Sequence, residues 1–141
     1  MLKHLALTLL TLAAVTPAQA GTTTTAAQAD ITGHYGLHLF FDEKDNVDVL
    51  TISRDEQGAL TGHMHVPNDF DAPVLNVEEK EGLLTFDLPV PKNSHRPVDL
   101  LFHYEARVFD ASKKQLAGFV TLKGEKAFVA SFVAFRREEQ R

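Results

Sequence analysis

The stretch Val98-Asp99-Leu100-Leu101-Phe102-His103-Tyr104-Glu105-Ala106-Arg107-Val108-Phe109 decides the fold. Val98, Leu100, Phe102, Tyr104, Ala106 and Val108 alternate with Asp99, His103, Glu105 and Arg107; Leu101 and Phe109 are the exceptions. Successive side chains of an extended strand point to opposite faces, so a period of two marks a strand with one apolar and one polar face.

The period continues on both sides. Residues 83–88 place Leu84, Phe86 and Leu88 inward and Thr85 and Asp87 outward, after a tight turn at Glu81-Gly82. Residues 59–66 set Leu60, Gly62, Met64 and Val66 against Thr61, His63 and His65. Residues 34–41 set Tyr35, Leu37, Leu39 and Phe41 against His34 and His38. Residues 47–53, 74–79 and 115–122 read as further strands. Residues 127–136 are apolar on both faces, a surface for the leader or a partner chain to cover. Past residue 30 no segment carries the apolar spacing of three and four that a helix needs.

Eight consecutive strands with short links form an antiparallel meander. Left open, it exposes two raw edges; closed, it exposes none. The expected fold is therefore all-β, an eight-stranded antiparallel up-and-down β-barrel. Its links alternate between ends. The two longest, 67–73 and 89–97, fall at the same end, which reads as a mouth. The other end holds short turns and both termini.

The N-terminus reads differently. Lys3 precedes an apolar stretch, 5–15, and then Thr16-Pro17-Ala18-Gln19-Ala20. A basic head, a short apolar run and a small-x-small site are the marks of a Sec-type signal peptide. The expected organisation is a cleaved signal peptide at 1–20, a Thr/Ala-rich flexible leader at 21–30, a barrel domain at 31–137 and a charged tail at 138–141. The expected location is periplasmic or secreted. The chain has no cysteine, so neither a disulfide nor a lipid-modified cysteine is expected.

Composition narrows the partners. The 14 basic and 19 acidic side chains give a net charge of −5, and there is no basic cluster beyond the pairs Lys113-Lys114 and Arg136-Arg137. Nucleic acid needs a positive face, so it is not an expected partner. No later apolar run approaches the roughly 20 residues that span a bilayer, so no stable membrane insertion is expected.

Gly33-His34-Tyr35 in the first strand and Phe135-Arg136 in the last resemble the opening and closing motifs of the lipocalin-like, or calycin, superfamily. Gly58-Ala59-Leu60-Thr61-Gly62 and Leu116-Ala117-Gly118-Phe119 resemble its small bacterial exported members. The resemblance covers about the whole mature domain. Calycins carry Gly-x-Trp, and here Tyr35 stands in place of the tryptophan. The resemblance implies a barrel whose last-strand basic residue packs across the closed end, and an interior holding one small apolar ligand. The superfamily also includes enzyme-like and inhibitory proteins, so the fold does not fix an activity.

Candidate site residues follow from the alternation. Phe41, Met64, Phe86, Phe102, Tyr104, Phe128 and Phe132 would line the interior, beside the small Gly62, Ala106, Gly118, Ala130 and Ala134. Large rings beside small residues either leave a cavity or interlock into a solid core, and eight strands sit at that boundary. Tyr104 is the candidate internal polar handle, because a buried hydroxyl wants a partner. At the mouth, Phe70 between Asp69 and Asp71 suits a lid, and Lys92 and Arg96 suit the carboxylate of an amphipathic ligand such as a fatty acid.

The histidine pairs His34/His38 and His63/His65 have metal-ligand spacing. All point outward, with no third ligand beside either pair, whereas tetrahedral binding needs three or four convergent groups. They are weak metal candidates; no metal or cofactor is expected. Asp42, Glu43, Asp45 and Asp48 lack the order of a calcium loop. No nucleophile elbow, phosphate loop or zinc-protease motif is present. His95, Asp69 and Tyr104 are the scattered residues from which an enzyme would have to be built.

The sequence thus favours an exported, non-catalytic protein holding a small apolar or amphipathic ligand inside its barrel. The alternatives are a solid-cored interaction or inhibitor protein that engages another exported protein, and a periplasmic metal carrier using the histidines.

Overall fold

The computed structural model of the chain describes residues 30–40, 47–110 and 114–138. Eight strands follow one another: β1 Gly33–Leu39, β2 Asp48–Arg54, β3 Leu60–Val66, β4 Phe70–Lys80, β5 Leu83–Val90, β6 Leu100–Asp110, β7 Gln115–Leu122 and β8 Ala127–Arg136. Each pairs antiparallel with the next, and β8 returns to β1, closing the barrel. No helix among the described residues is long and apolar enough to cross a membrane. The segment expected as signal peptide, nearly all of the expected leader and most of the expected tail lie outside the described residues.

The alternation in β6 sets the inside. Tyr104 and Ala106 are buried and Arg107 is exposed. Leu84, Phe86 and Leu88 of β5 are buried beside them. Phe86 stacks on its cross-strand partner Tyr104, with ring centroids 4.7 Å apart and planes 11° apart. Phe132 meets Tyr104 edge-on at 5.5 Å. Offset stacks and edge contacts of this kind add to the area burial of the rings. Leu37, Leu50, Met64 and Ala134 fill the space around the trio, all fully buried.

The small residues admit neighbouring chain rather than leaving holes. A Cβ on Gly62 would lie 2.5 Å from Val74 Cγ2. A Cβ on Gly118 would strike the Glu105 carbonyl oxygen, with the Ala106 Cα at 2.8 Å. In the middle of the barrel rings and gaps interlock.

The closed end is sealed by residues of the first and last strands. Tyr35 is fully buried and donates its hydroxyl to the Ile31 carbonyl at 2.8 Å. Arg136 is its cross-strand partner and lies over Gly33, where a Cβ would sit 3.0 Å from the guanidinium Nε. Gly33 has φ of 143°, in the region that favours glycine. An aromatic and a basic residue, Tyr35 and Arg136, therefore meet at this end.

Four expectations are corrected. The 67–73 break is a short turn at 67–69, made by Asn68 at φ 62° and closed by Asp69 N–H to the Val66 carbonyl at 3.1 Å. β4 begins at Phe70 rather than residue 74, because 70–74 pair with β3. Val98 precedes β6 and is 56% exposed instead of facing inward. Phe128 is 66% exposed rather than lining the interior. The β7–β8 register shifts between Val120 and Thr121, which face Ala130 and Phe128 respectively. One extra residue, Val129, is bulged there, and a bulge reverses the parity beyond it.

Candidate functional site

β-barrel geometry sends every second side chain to the axis, so the inward residues nearest the mouth decide what the lumen can hold. There an apolar cavity of about 110 Å³ opens between Leu39, Val66, Phe70, Phe102, Tyr104 and Val129. Leu88, Val90, Val120 and Asp48 complete the wall. Its depth is set by Tyr104, whose ring is fixed by Phe86 and Phe132. Burial raises the pKa of the Tyr104 phenol, and the nearby Asp48 charge adds to the effect. The hydroxyl therefore stays protonated across the physiological range.

Of the residues singled out in the sequence, Phe70, Phe102 and Tyr104 meet at this cavity. Met64, Phe86 and Phe132 are fully buried and are not part of its wall. Phe128 points away, and Val129 takes the inward place. Phe41 lies outside the described residues. Val129 was hidden because only the bulge turns it inward.

The mouth loop is tied down. Asn93 N–H donates to the Arg96 carbonyl at 2.8 Å, and Asn93 Nδ2 donates to Asp69 Oδ1 at 2.9 Å. Arg96 Nη2 lies 3.3 Å from Asp69 Oδ1, and Arg96 Nε donates to the Pro91 carbonyl at 2.8 Å. The same guanidinium sits 5.8 Å from the centroid of the Phe70 ring, within cation–π range. Phe70 is thus a half-buried wall residue under Arg96, not a free aromatic between acids. A ligand carboxylate at Arg96 would have to compete with Asp69. Lys92 is exposed on the same loop, its backbone N–H held by Asp99 Oδ1 at 2.8 Å.

The histidines do not converge. His34 Nδ1 is 2.9 Å from Thr51 Oγ1, and His65 Nδ1 is 2.8 Å from Asp71 Oδ1. His63 stands between Thr51 and Pro73 in the sheet register, and His38 meets the Phe135 ring edge-on at 6.2 Å. Among the described residues no three His, Cys, Asp or Glu side chains are grouped to hold a metal ion.

One cluster escaped the sequence reading. Asp87 points out of the barrel by parity, yet it is 2% exposed. Its carboxylate accepts from Asn76 Nδ2 at 2.8 Å, meets His103 Nδ1 at 2.8 Å and is bonded by the Lys123 ammonium. The donors outweigh desolvation, and the Asp87 pKa falls to about 2. His103 is the cross-strand partner of Asp87, and its Nε2 lies 3.4 Å from Glu105 Oε1. Asn76 reaches Asp87 because a bulge between Leu75 and Glu78 puts it at φ 52°. The Asp87/His103 pairing was available from the strand register; the bulge was not. A carboxylate held by three donors is a structural tie across β4, β5, β6 and the end of β7.

No family model, curated protein or solved structure matches the chain. The geometry therefore carries the functional argument alone.

Proposed function

We propose that this chain is an exported, lipocalin-like, non-catalytic binding protein whose mouth cavity takes the apolar end of a small amphipathic ligand. The observation that carries the reading is the apolar cavity of about 110 Å³ with the protonated Tyr104 hydroxyl and Asp48 at its wall. Typical pockets that bury a whole drug-sized ligand measure about 300–1,000 Å³. A cavity of about 150 Å³ accepts benzene. This one suits a short branched chain or part of a ring, with the polar end left at the opening. Burial supplies the affinity at about 25 cal/mol per Å² of apolar surface. With Arg96 engaged by Asp69, exposed Lys92 is the cation better placed to meet a ligand carboxylate.

The test is native mass spectrometry of the protein isolated from its own host. The expected result is a co-purifying small amphipathic molecule, released on denaturation and lost in a variant with the cavity filled. A bound species that survives cavity filling, or none, would count against the reading.

A second reading is favoured by the outer face of β7, β8 and β1, where Phe119, Phe135 and Phe40 are exposed beside Phe128. Apolar surface of this kind suits an interaction protein with another exported protein as partner. Serine at Phe119 and Phe135 would abolish such an association and leave small-ligand binding intact.

A further inference from the structure

At the opposite end from the mouth, an open groove of about 550 Å³ lies against β1 and β2. Its walls bring together Arg54, Arg136, the hydroxyl-bearing Thr32, Thr51 and Ser53, and Asp30. We infer that this groove is a second binding site, for the oxyanion of a small ligand bearing a phosphate or carboxylate group.

The chain is acidic overall, with 19 acidic against 14 basic side chains, so two guanidinium groups in one groove are a local reversal of its charge. Among the described residues neither is in an ion pair; the six pairs present lie elsewhere. Arg54 spends Nη1 on the Gly58 carbonyl at 2.9 Å. A guanidinium carries five N–H donors in a planar fork, so most of its donors stay available. Arg136 is held in place by its packing over Gly33. The Ser53 hydroxyl, and that of Thr51 where His34 Nδ1–H donates to it, add neutral donors beside the guanidinium groups, while the Thr32 hydroxyl is engaged by Asp30; charged and neutral donors together suit an oxyanion.

Asp30 is the acidic member, and it is turned to its own chain. Its two carboxylate oxygens accept from Thr32 N–H at 3.1 Å and Thr32 Oγ1 at 3.0 Å. Those bonds lower its pKa, and the charges of Lys114 and Arg54 add to the effect, so cationic side chains surround it at this end. Asp30 also repels an incoming anion, which gives the site a built-in control. An anion site gains from neutralising Asp30, whereas a cation site loses.

The experiment is a titration of the full chain with sodium phosphate and, separately, sodium acetate at constant ionic strength, followed by backbone amide NMR. Saturable shifts are expected at Thr32, Gly33, Thr51 and Ser53; the anion that binds more tightly identifies the ligand's charged group. Arg54→Gln, at an exposed site, is expected to weaken binding roughly tenfold, the loss of one charge-assisted contact. Asp30→Asn is expected to tighten it. Unchanged affinity in Arg54→Gln, weaker binding in Asp30→Asn, equal shifts with chloride, or no saturable shift would each overturn the inference. Amide spectra of the two variants without anion show whether the fold is kept. Should Arg54→Gln misfold, the Asp30→Asn result decides alone.

Discussion

Replacing Asp87 by asparagine removes a charge on which three donors from two neighbouring strands and the end of a third converge, while keeping the side chain's size. The native carboxyl titrates at about 2, against 3.8 for the free group. At about 1.4 kcal/mol per unit, that depression corresponds to about 2 kcal/mol of stability. The half-exposed Lys123 ammonium can rehydrate, which makes this an upper figure. The sign follows from linkage. A carboxyl whose pKa is lower in the folded state stabilises fully above the unfolded value, near 4, and loses that contribution as pH falls through about 2. Urea unfolding of the protein and of Asp87→Asn at pH 7 and pH 2 reads the effect directly. The variant is expected to be about 2 kcal/mol less stable at pH 7, with the gap closing to a few tenths at pH 2. A gap that is the same at both pH values would refute the electrostatic account. No gap at pH 7 would refute the tie itself.

Two further changes probe the barrel. Gly118→Ala places a methyl group against the Glu105 backbone, which cannot turn aside as a side chain can. It is expected to cost more than the roughly 1–3 kcal/mol of ordinary overpacking, read as loss of the cooperative thermal transition or a fall in midpoint above 10 °C. Tyr35→Phe removes only the hydroxyl bond to the Ile31 carbonyl and is expected to cost about 1 kcal/mol by urea unfolding, leaving ligand binding at the far mouth unchanged.

The strands were legible because their chemistry is local. Alternation in β5 and β6 gave the inward set, and the bounds of β7 and β8 match their sequence patterns. Closure followed from the need to bury one face and leave no edge. The bulges were not legible. Each adds one residue that only the pairing with a neighbouring strand reveals: Val129 turns Phe128 outward, and Asn76 turns toward Asp87. The start of β4 was hidden because Asp71 and Pro73, after the Asn68-Asp69 turn, look like loop, whereas pairing with β3 extends them. The size of the cavity was equally out of reach. It depends on how the Phe86, Tyr104 and Phe132 rings pack, and alternation fixes only which way they point.

The central claim is that the mouth cavity receives the apolar end of a small amphipathic molecule. Methyl ¹H–¹³C spectra titrated with isobutanol test it most directly, alongside Val90→Phe, which places a ring in the cavity wall. Saturable shifts are expected at the Leu39, Val66, Val90 and Val129 methyls, none at Leu37 or Leu50, with loss of the response in Val90→Phe while its fold is kept. Shifts scattered over the outer face, or an undiminished response in the filled variant, would contradict it.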